Sequence, residues 1–289
     1  MSDIEHVGWR SLKALDPERP IREAVIAVFG FLQNKLEGCA MRGKAWGSLT
    51  LLLLILLAAC AVWIGKSTDH SQLRWQYIAV TAILVALCIV AGVLVNGRLE
   101  GVLIGYRNRM SLARMQWVAW MIVLLGAYFV EAVWNVAHSR SLPEMQIHLF
   151  GLLGIISGSS VVSSLIVDAK MRSPEPSGQP QAVQPRAAGD HPGQKGSMDI
   201  NYKVAEASWA DLYLGEEVAN RYVVDVSRLQ KLIVTVLLVL AYLIYLWKAF
   251  SPSLSGELEM PAVGTTFLSL LGISHGAYLA SKATPKTPS

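Results

Sequence analysis

Four long apolar runs govern what this chain of 289 residues can form, at about 47–64, 77–95, 113–134 and 229–247. Each is close to the ~20 residues that a helix needs to cross ~30 Å of hydrocarbon. Lipid offers no partner for backbone N–H and C=O groups, so such runs must satisfy themselves as helices. Two weaker runs follow, at about 145–167 and 262–281, apolar but rich in Gly and Ser. The composition agrees: 53% of residues are hydrophobic and 16% charged, whereas a soluble domain carries ~25% charged residues. The expected fold is an all-α integral membrane protein. It has six transmembrane helices, a duplicated two-helix hairpin and an amphipathic N-terminal helix.

Charge position supports the six-helix count. When the connecting segments are assigned to alternate sides, one side collects 21 of the 25 Lys and Arg residues and the other four. This is the positive-inside pattern, and it puts both termini on the cytoplasmic side. With five helices the alternation breaks, so the weak run at 262–281 is kept as a span. The first apolar run begins only after 46 mostly polar residues, so no cleavable signal peptide is expected.

The chain then divides into a cytoplasmic arm (1–46), helices 1 and 2 (47–96), a first repeat unit (97–170), a linker (171–200), a second unit (201–284) and a tail (285–289). In the arm, Ile21, Val25, Val28, Phe29, Leu32 and Leu36 recur at helical spacing. They predict an amphipathic helix that lies on the membrane, against the bundle or on a partner. The linker is rich in Pro, Gly and Gln and is expected to be flexible.

Across the linker the sequence repeats. At a shift of 114, Gly101, Arg107, Arg114, Gln116, Ala127 and Tyr128 fall on Gly215, Arg221, Arg228, Gln230, Ala241 and Tyr242. At a shift of 118, Pro143, Leu152, Leu153, Gly154, Ile155, Gly158 and Ser163 fall on Pro261, Leu270, Leu271, Gly272, Ile273, Gly276 and Ser281. Each unit reads as a basic segment, an outward helix, a loop with Pro and a Gly-rich returning helix. Both units start on the same side, so they are parallel repeats about an axis along the membrane normal, as in some transporters.

The repeat bears on Gly272-Ile273-Ser274-His275-Gly276, which fits the G-x-S-x-G pattern of serine hydrolases. A nucleophile elbow needs a strand and a sharp turn before its helix, and none is expected here. Adjacent residues on a helix point ~100° apart, so Ser274 and His275 would not bond to each other. The units share the glycines instead: Gly154/Gly158 and Gly272/Gly276, both G-x-x-x-G. These pairs are expected to be helix-packing faces.

Few polar groups remain inside the spans. His275 at mid-span reads as a proton relay, a gate or a neutral hydrogen-bonded histidine. Glu131 and His148 lie at similar depth near the outer side, and with Ser157 they are candidates for a pore or a structural pair. The repeated Arg114/Gln116 and Arg228/Gln230 mark the inner ends of the outward helices. They are candidates for a lipid headgroup or a cytoplasmic anion, or else anchors paired with Asp168, Glu100 or Glu217. Ser111, with Asp225 or Ser227, is placed to cap those helices. Cys39, Cys60 and Cys88 have no metal-ligand spacing. No metal, cofactor, nucleotide loop or catalytic residue is expected, and no nucleic-acid partner.

The stretches "GYRNRMSLARMQWVAW" with "LFGLLGIISGS", and "VDVSRLQ" with "LLGISHGAYLASKA", resemble a broad set of uncharacterised bacterial multi-pass inner-membrane proteins. The resemblance implies a bacterial inner-membrane location and carries over no substrate or catalytic residue. The expected function is that of a non-enzymatic oligomeric membrane module or scaffold, with lipids and further copies or subunits as partners. An ion channel with its pore between subunits is the alternative, and a secondary transporter follows it.

Overall fold

The computed structural model describes residues 47–172, 193–250 and 258–285. The expected amphipathic helix of the arm and the expected tail from 286 onward lie outside the described residues. The chain forms two compact units, Met1–Leu51 and Leu52–Ser289, and the contacts below belong to the second.

Six long helices make up most of the described structure: α1 (Gly47–Lys66), α2 (Leu73–Asn96), α3 (Leu112–Ala137), α4 (Ile147–Arg172), α5 (Val226–Ala249) and α6 (Thr265–Ala283). The first five are long and apolar enough to cross a membrane, which makes this a multi-pass membrane protein in architecture. α6, with its Gly, Ser and His, is not one of those five. The helix ends follow from local chemistry. Ser111 Oγ accepts from the Arg114 N–H at the start of α3, and Asp225 accepts from Ser227 and Arg228 at the start of α5. Gly97 closes α2 in the left-handed conformation, φ +69°, and its N–H returns to the Val93 carbonyl.

α4 and α6 pack together, as do α5 with α6, α2 with α3, and α3 with both α4 and α5. Their shared core holds Trp120, Trp134, Leu149, Leu152, Tyr242, Leu246 and Leu271. Trp120 lies edge-on to Phe267 and tilted against Tyr242, with ring centroids 5.9 and 6.0 Å away. At the end away from the collar, Asn135 pairs with both backbone groups of Leu258 (2.8 and 3.2 Å), and Tyr242 Oη donates to the Pro261 carbonyl. These bonds pin the loop that leads into α6.

At the opposite end, residues 97–111 and 193–225 form a collar with its own core of Ile104, Met110, Leu112, Ala207 and Leu212. Arg98 ties the two segments by donating to the carbonyls of Val204, Ala205 and Ala207. Asn108 and Asn201 each donate to the other's carbonyl at 2.9 Å in the pair Asn108–Asn201.

The collar revises the expected linker. α4 runs to Arg172, and an antiparallel hairpin joins β1 (Gly193–Lys195) to β2 (Met198–Ile200). Residues 193–200 are therefore folded, while 173–192 lie outside the described residues. Composition misled here because tertiary contacts hold the hairpin: Met198 and Asp199 are buried, and Asp199 pairs with Arg109 and Arg221.

Gly101 packs on Gly92 of α2 so closely that a Cβ on Gly101 would stand 2.2 Å from the Gly92 carbonyl oxygen. The clash is with backbone and cannot be relieved by a rotamer. Gly101→Ala is expected to destabilise the protein by at least about 1–3 kcal/mol, whereas Gly154→Ala, which meets nothing within 4 Å, stays within about 0.5 kcal/mol. Thermal unfolding of the two variants in detergent checks both.

Candidate functional site

Three helices carry polar residues at helical spacing toward one another near the collar. α5 presents Arg228, Lys231 and Thr235, α6 presents His275, Tyr278 and Lys282, and α4 presents Ser159 and Ser163. Residues three or four apart share a helix face, so each set points as one stripe. Arg228, Lys231, Thr235, Ser159, Ser163, Ser274, His275 and Tyr278 are all buried. The inner end of the bundle therefore has a concentrated polar core, while the remainder is mainly aromatic and aliphatic with a few buried polar side chains such as Glu131 and Asn135.

Glu216, from the collar, sits at the mouth of this core. Its Oε1 pairs with Arg107 at 3.0 Å and with Arg228, and its Oε2 pairs with Lys282 at 2.6 Å. The Lys282 ammonium also donates to Ser163 Oγ (2.8 Å) and Tyr278 Oη (2.9 Å). Arg228 donates to the Asp211 carbonyl as well. Deeper in, Lys231 Nζ lies 3.2 Å from Ser159 Oγ and 4.0 Å from the centroid of the Tyr278 ring. Gln116 Nε2 donates to Thr235 Oγ1, whose own proton returns to the Lys231 carbonyl.

A second group of charges surrounds the first. Arg109 bridges Asp199 (2.9 Å) and Asp211 (3.2 Å), and Lys170 pairs with Glu217 at 2.7 Å. The two buried acids show opposite balances. Burial alone would push the Glu216 carboxyl up, but Arg228, Lys282 and Arg107 outweigh it and hold the group well below the usual carboxylate range. At Asp199 burial wins over Arg109, Arg221 and Arg107, and the carboxyl is pushed up.

The repeated Arg and Gln residues are distributed differently from the headgroup-binding expectation. Arg228 and Gln116 are buried. Arg114 donates to the Ile104 carbonyl at 2.9 Å, and Gln230 is exposed. The suggested acids serve other partners: Glu100 pairs with Arg98, Glu217 with Lys170, and Asp168 accepts from Tyr106. Glu131 is buried on α3. No ion pair joins it to the half-buried His148 among the described residues, and Ser157 is half-buried on α4.

Ser274 and His275 lie in the continuous helix α6, both 3% exposed, and among the described residues neither Ser274 Oγ nor either ring nitrogen has a hydrogen-bond partner. Among the described residues the four glycines have open space beside them: a Cβ at Gly154, Gly158 or Gly276 would meet nothing within 4 Å, and one at Gly272 only Ile155 at 3.8 Å. Lys231 was missed by the sequence reading, which counted it with the basic cytoplasmic segment. The signal that exposes it is the spacing Arg228, Lys231, Thr235, which no lipid-facing helix needs. Among the described residues, no group of three or more His, Cys, Asp or Glu is placed to hold a metal.

Comparison with known proteins gives no match: no protein-family profile fits the chain, and no curated protein or solved structure matches it.

The sign of the Glu216 contribution fixes its pH dependence. The unfolded carboxyl takes a proton near its ordinary value of 4.5, while the folded one stays ionised to lower pH. Its stabilisation is full above that value and is lost as pH falls below it. Glu216→Gln is expected to cost about 3–5 kcal/mol at neutral pH by leaving three cations without their carboxylate. It is also expected to flatten the fall of the unfolding temperature below pH 4.5, measured by thermal scans across pH.

Proposed function

We propose that this protein is a non-enzymatic, oligomeric membrane module, the membrane part or scaffold of a larger assembly in a bacterial inner membrane. The uncovered glycine face of α4 carries this reading. Gly154 and Gly158 are exposed, with Phe150, Val161, Val162 and Leu165 along the same side of the helix. Apolar side chains gain nothing by leaving lipid, so close backbone approach at small residues is a main source of helix association in membranes. Among the described residues nothing uses this approach, and the proposed occupant is another subunit or copy.

The reading includes six crossings with both termini cytoplasmic, and a duplicated hairpin. Support for the sixth crossing is the course of α6. It starts beside the loop that Asn135 holds at one end, and its Lys282 meets collar Glu216 at the other. Nineteen residues span roughly 28 Å at ~1.5 Å each. Support for the duplication is the helix starts: Leu112 and Val226 differ by the shift of 114, and Ile147 and Thr265 by the shift of 118. Ser111 and Asp225 cap equivalent helices. The matched Gly101 and Gly215 both lack room for a side chain, with 2.2 Å to the nearest atom. The outward helices α3 and α5 touch each other, and so do the returning helices α4 and α6, as an axis along the membrane normal requires.

Mass measurement of the detergent-solubilised protein tests the reading. An oligomer or a co-purifying subunit is expected, and Gly158→Leu is expected to dissociate it into a chain that keeps its helical content by circular dichroism. A strict monomer with nothing bound overturns the proposal. One observation favours an ion channel as the second reading: Ser157 and Ser164 flank the glycine face, so subunits joined there would turn serines toward a shared axis. Planar-bilayer recording is expected to show conductance under that reading, and silence across pH and voltage removes it.

A further inference from the structure

Charge in the inner polar core does not balance. Arg107, Arg228 and Lys282 already share both oxygens of Glu216. The Lys282 ammonium spends its three protons on Glu216, Ser163 and Tyr278. Lys231, 1% exposed, has Ser159 Oγ and the face of Tyr278 beside it and no carboxylate in ion-pair contact among the described residues. A buried ammonium without counter-charge is among the costliest groups a fold can hold.

The neighbours of Lys231 supply donors. Ser159 Oγ receives the Lys231 proton and keeps its own O–H to give. His275, three residues before Tyr278 on α6, is 3% exposed, and among the described residues neither ring nitrogen has a hydrogen-bond partner. Ser274, on the same α6 face as Tyr278, is also 3% exposed, and its hydroxyl has no partner among the described residues. Unpaired buried polar atoms of this kind are rare in folded proteins and call for a partner. A metal cation or an ammonium would be repelled by Arg228, Lys231 and Lys282. A water molecule would serve the hydrogen bonds and leave the charge unbalanced. An anion answers both requirements.

We propose that the inner polar core holds a small inorganic anion, of chloride size, against the Lys231 ammonium, with Ser159, Ser274 and His275 donating to it. The near-complete burial of these side chains limits the ligand to a monatomic or similarly compact ion. Access is from the collar. A cleft lined by Lys170, Asn220, Arg228, Tyr278 and Lys282 together with Glu216, Glu217 and Asp225 reaches Tyr278, whose ring Lys231 faces. Its acids are already engaged: Glu216 by three cations, Glu217 by Lys170 and Asp225 by the start of α5.

The full chain in detergent is unfolded thermally in sodium gluconate, with gluconate replaced stepwise by chloride or bromide at constant ionic strength. The wild type is expected to show a saturable rise in unfolding temperature with both halides. Lys231→Met is expected to lose the halide response and to be no less stable than wild type in gluconate, since it removes the unbalanced charge. Ser159→Ala keeps the charge and removes one donor. It is expected to raise the half-saturating chloride concentration about tenfold, which corresponds to ~1.4 kcal/mol. A wild type insensitive to halides, a halide response unchanged in Lys231→Met, or a response to phosphate alone overturns the proposal. If Lys231→Met does not fold, the wild-type titration and Ser159→Ala decide the question.

Discussion

One carboxylate joins the collar to the helix bundle. Glu216 comes from the collar segment 193–225, and its cations come from three other places in the chain: Arg107 from the segment 97–111, Arg228 from the first turn of α5 and Lys282 from the last turn of α6. A salt bridge on an open surface contributes little, because water screens it and two long side chains must be ordered. At Glu216 the side chain is 11% exposed, so the pairing is strong, and so is the penalty for any member left alone. The ends of α5 and α6 and both collar segments are thereby held in one geometry. The aromatic core further along the bundle inherits the spacing that this contact sets.

The two ends of the bundle are built by different means. At the loop end, Asn135 and Tyr242 satisfy backbone groups of the chain leading into α6, and the surrounding side chains are apolar. At the collar end, side-chain charges and hydroxyls carry the contacts. The difference follows from the solvent. Apolar side chains gain little by leaving lipid for one another, so a lipid-embedded bundle needs hydrogen bonds, close packing or ion pairs to fix helix positions. Stripes of Arg, Lys, Ser, His and Tyr at three- and four-residue spacing provide these on α4, α5 and α6. The exposed glycines of α4 provide none among the described residues.

Much of the helical architecture was legible in the residues. The apolar runs and the caps Ser111 and Asp225 located the helices to within a few residues, because run length and N-cap chemistry act locally. The collar was only partly legible. Residues 193–200 look like linker by composition, and only their pairing with Arg109, Arg221 and Glu216's backbone makes them a hairpin with buried Met198 and Asp199. The site was less legible still. Lys231 sits at the edge of an apolar run beside a basic segment, and sequence counting assigned it to solvent.

The chain's composition and periodicity determined that it is a bundle of apolar helices, because hydrocarbon forces each long apolar run to satisfy its own backbone. They also marked the glycine pairs and the lone histidine of "GISHG". Which faces of those helices meet was decided only in three dimensions. Tertiary structure turned Gly154 and Gly158 outward, buried Ser274 and His275 with no hydrogen-bond partner among the described residues, and gave Glu216 three cations while Lys231 has no carboxylate in ion-pair contact among those residues. Ion pairs join residues as far apart in sequence as Arg107 and Glu216, and no local pattern of residue types encodes which charge finds which.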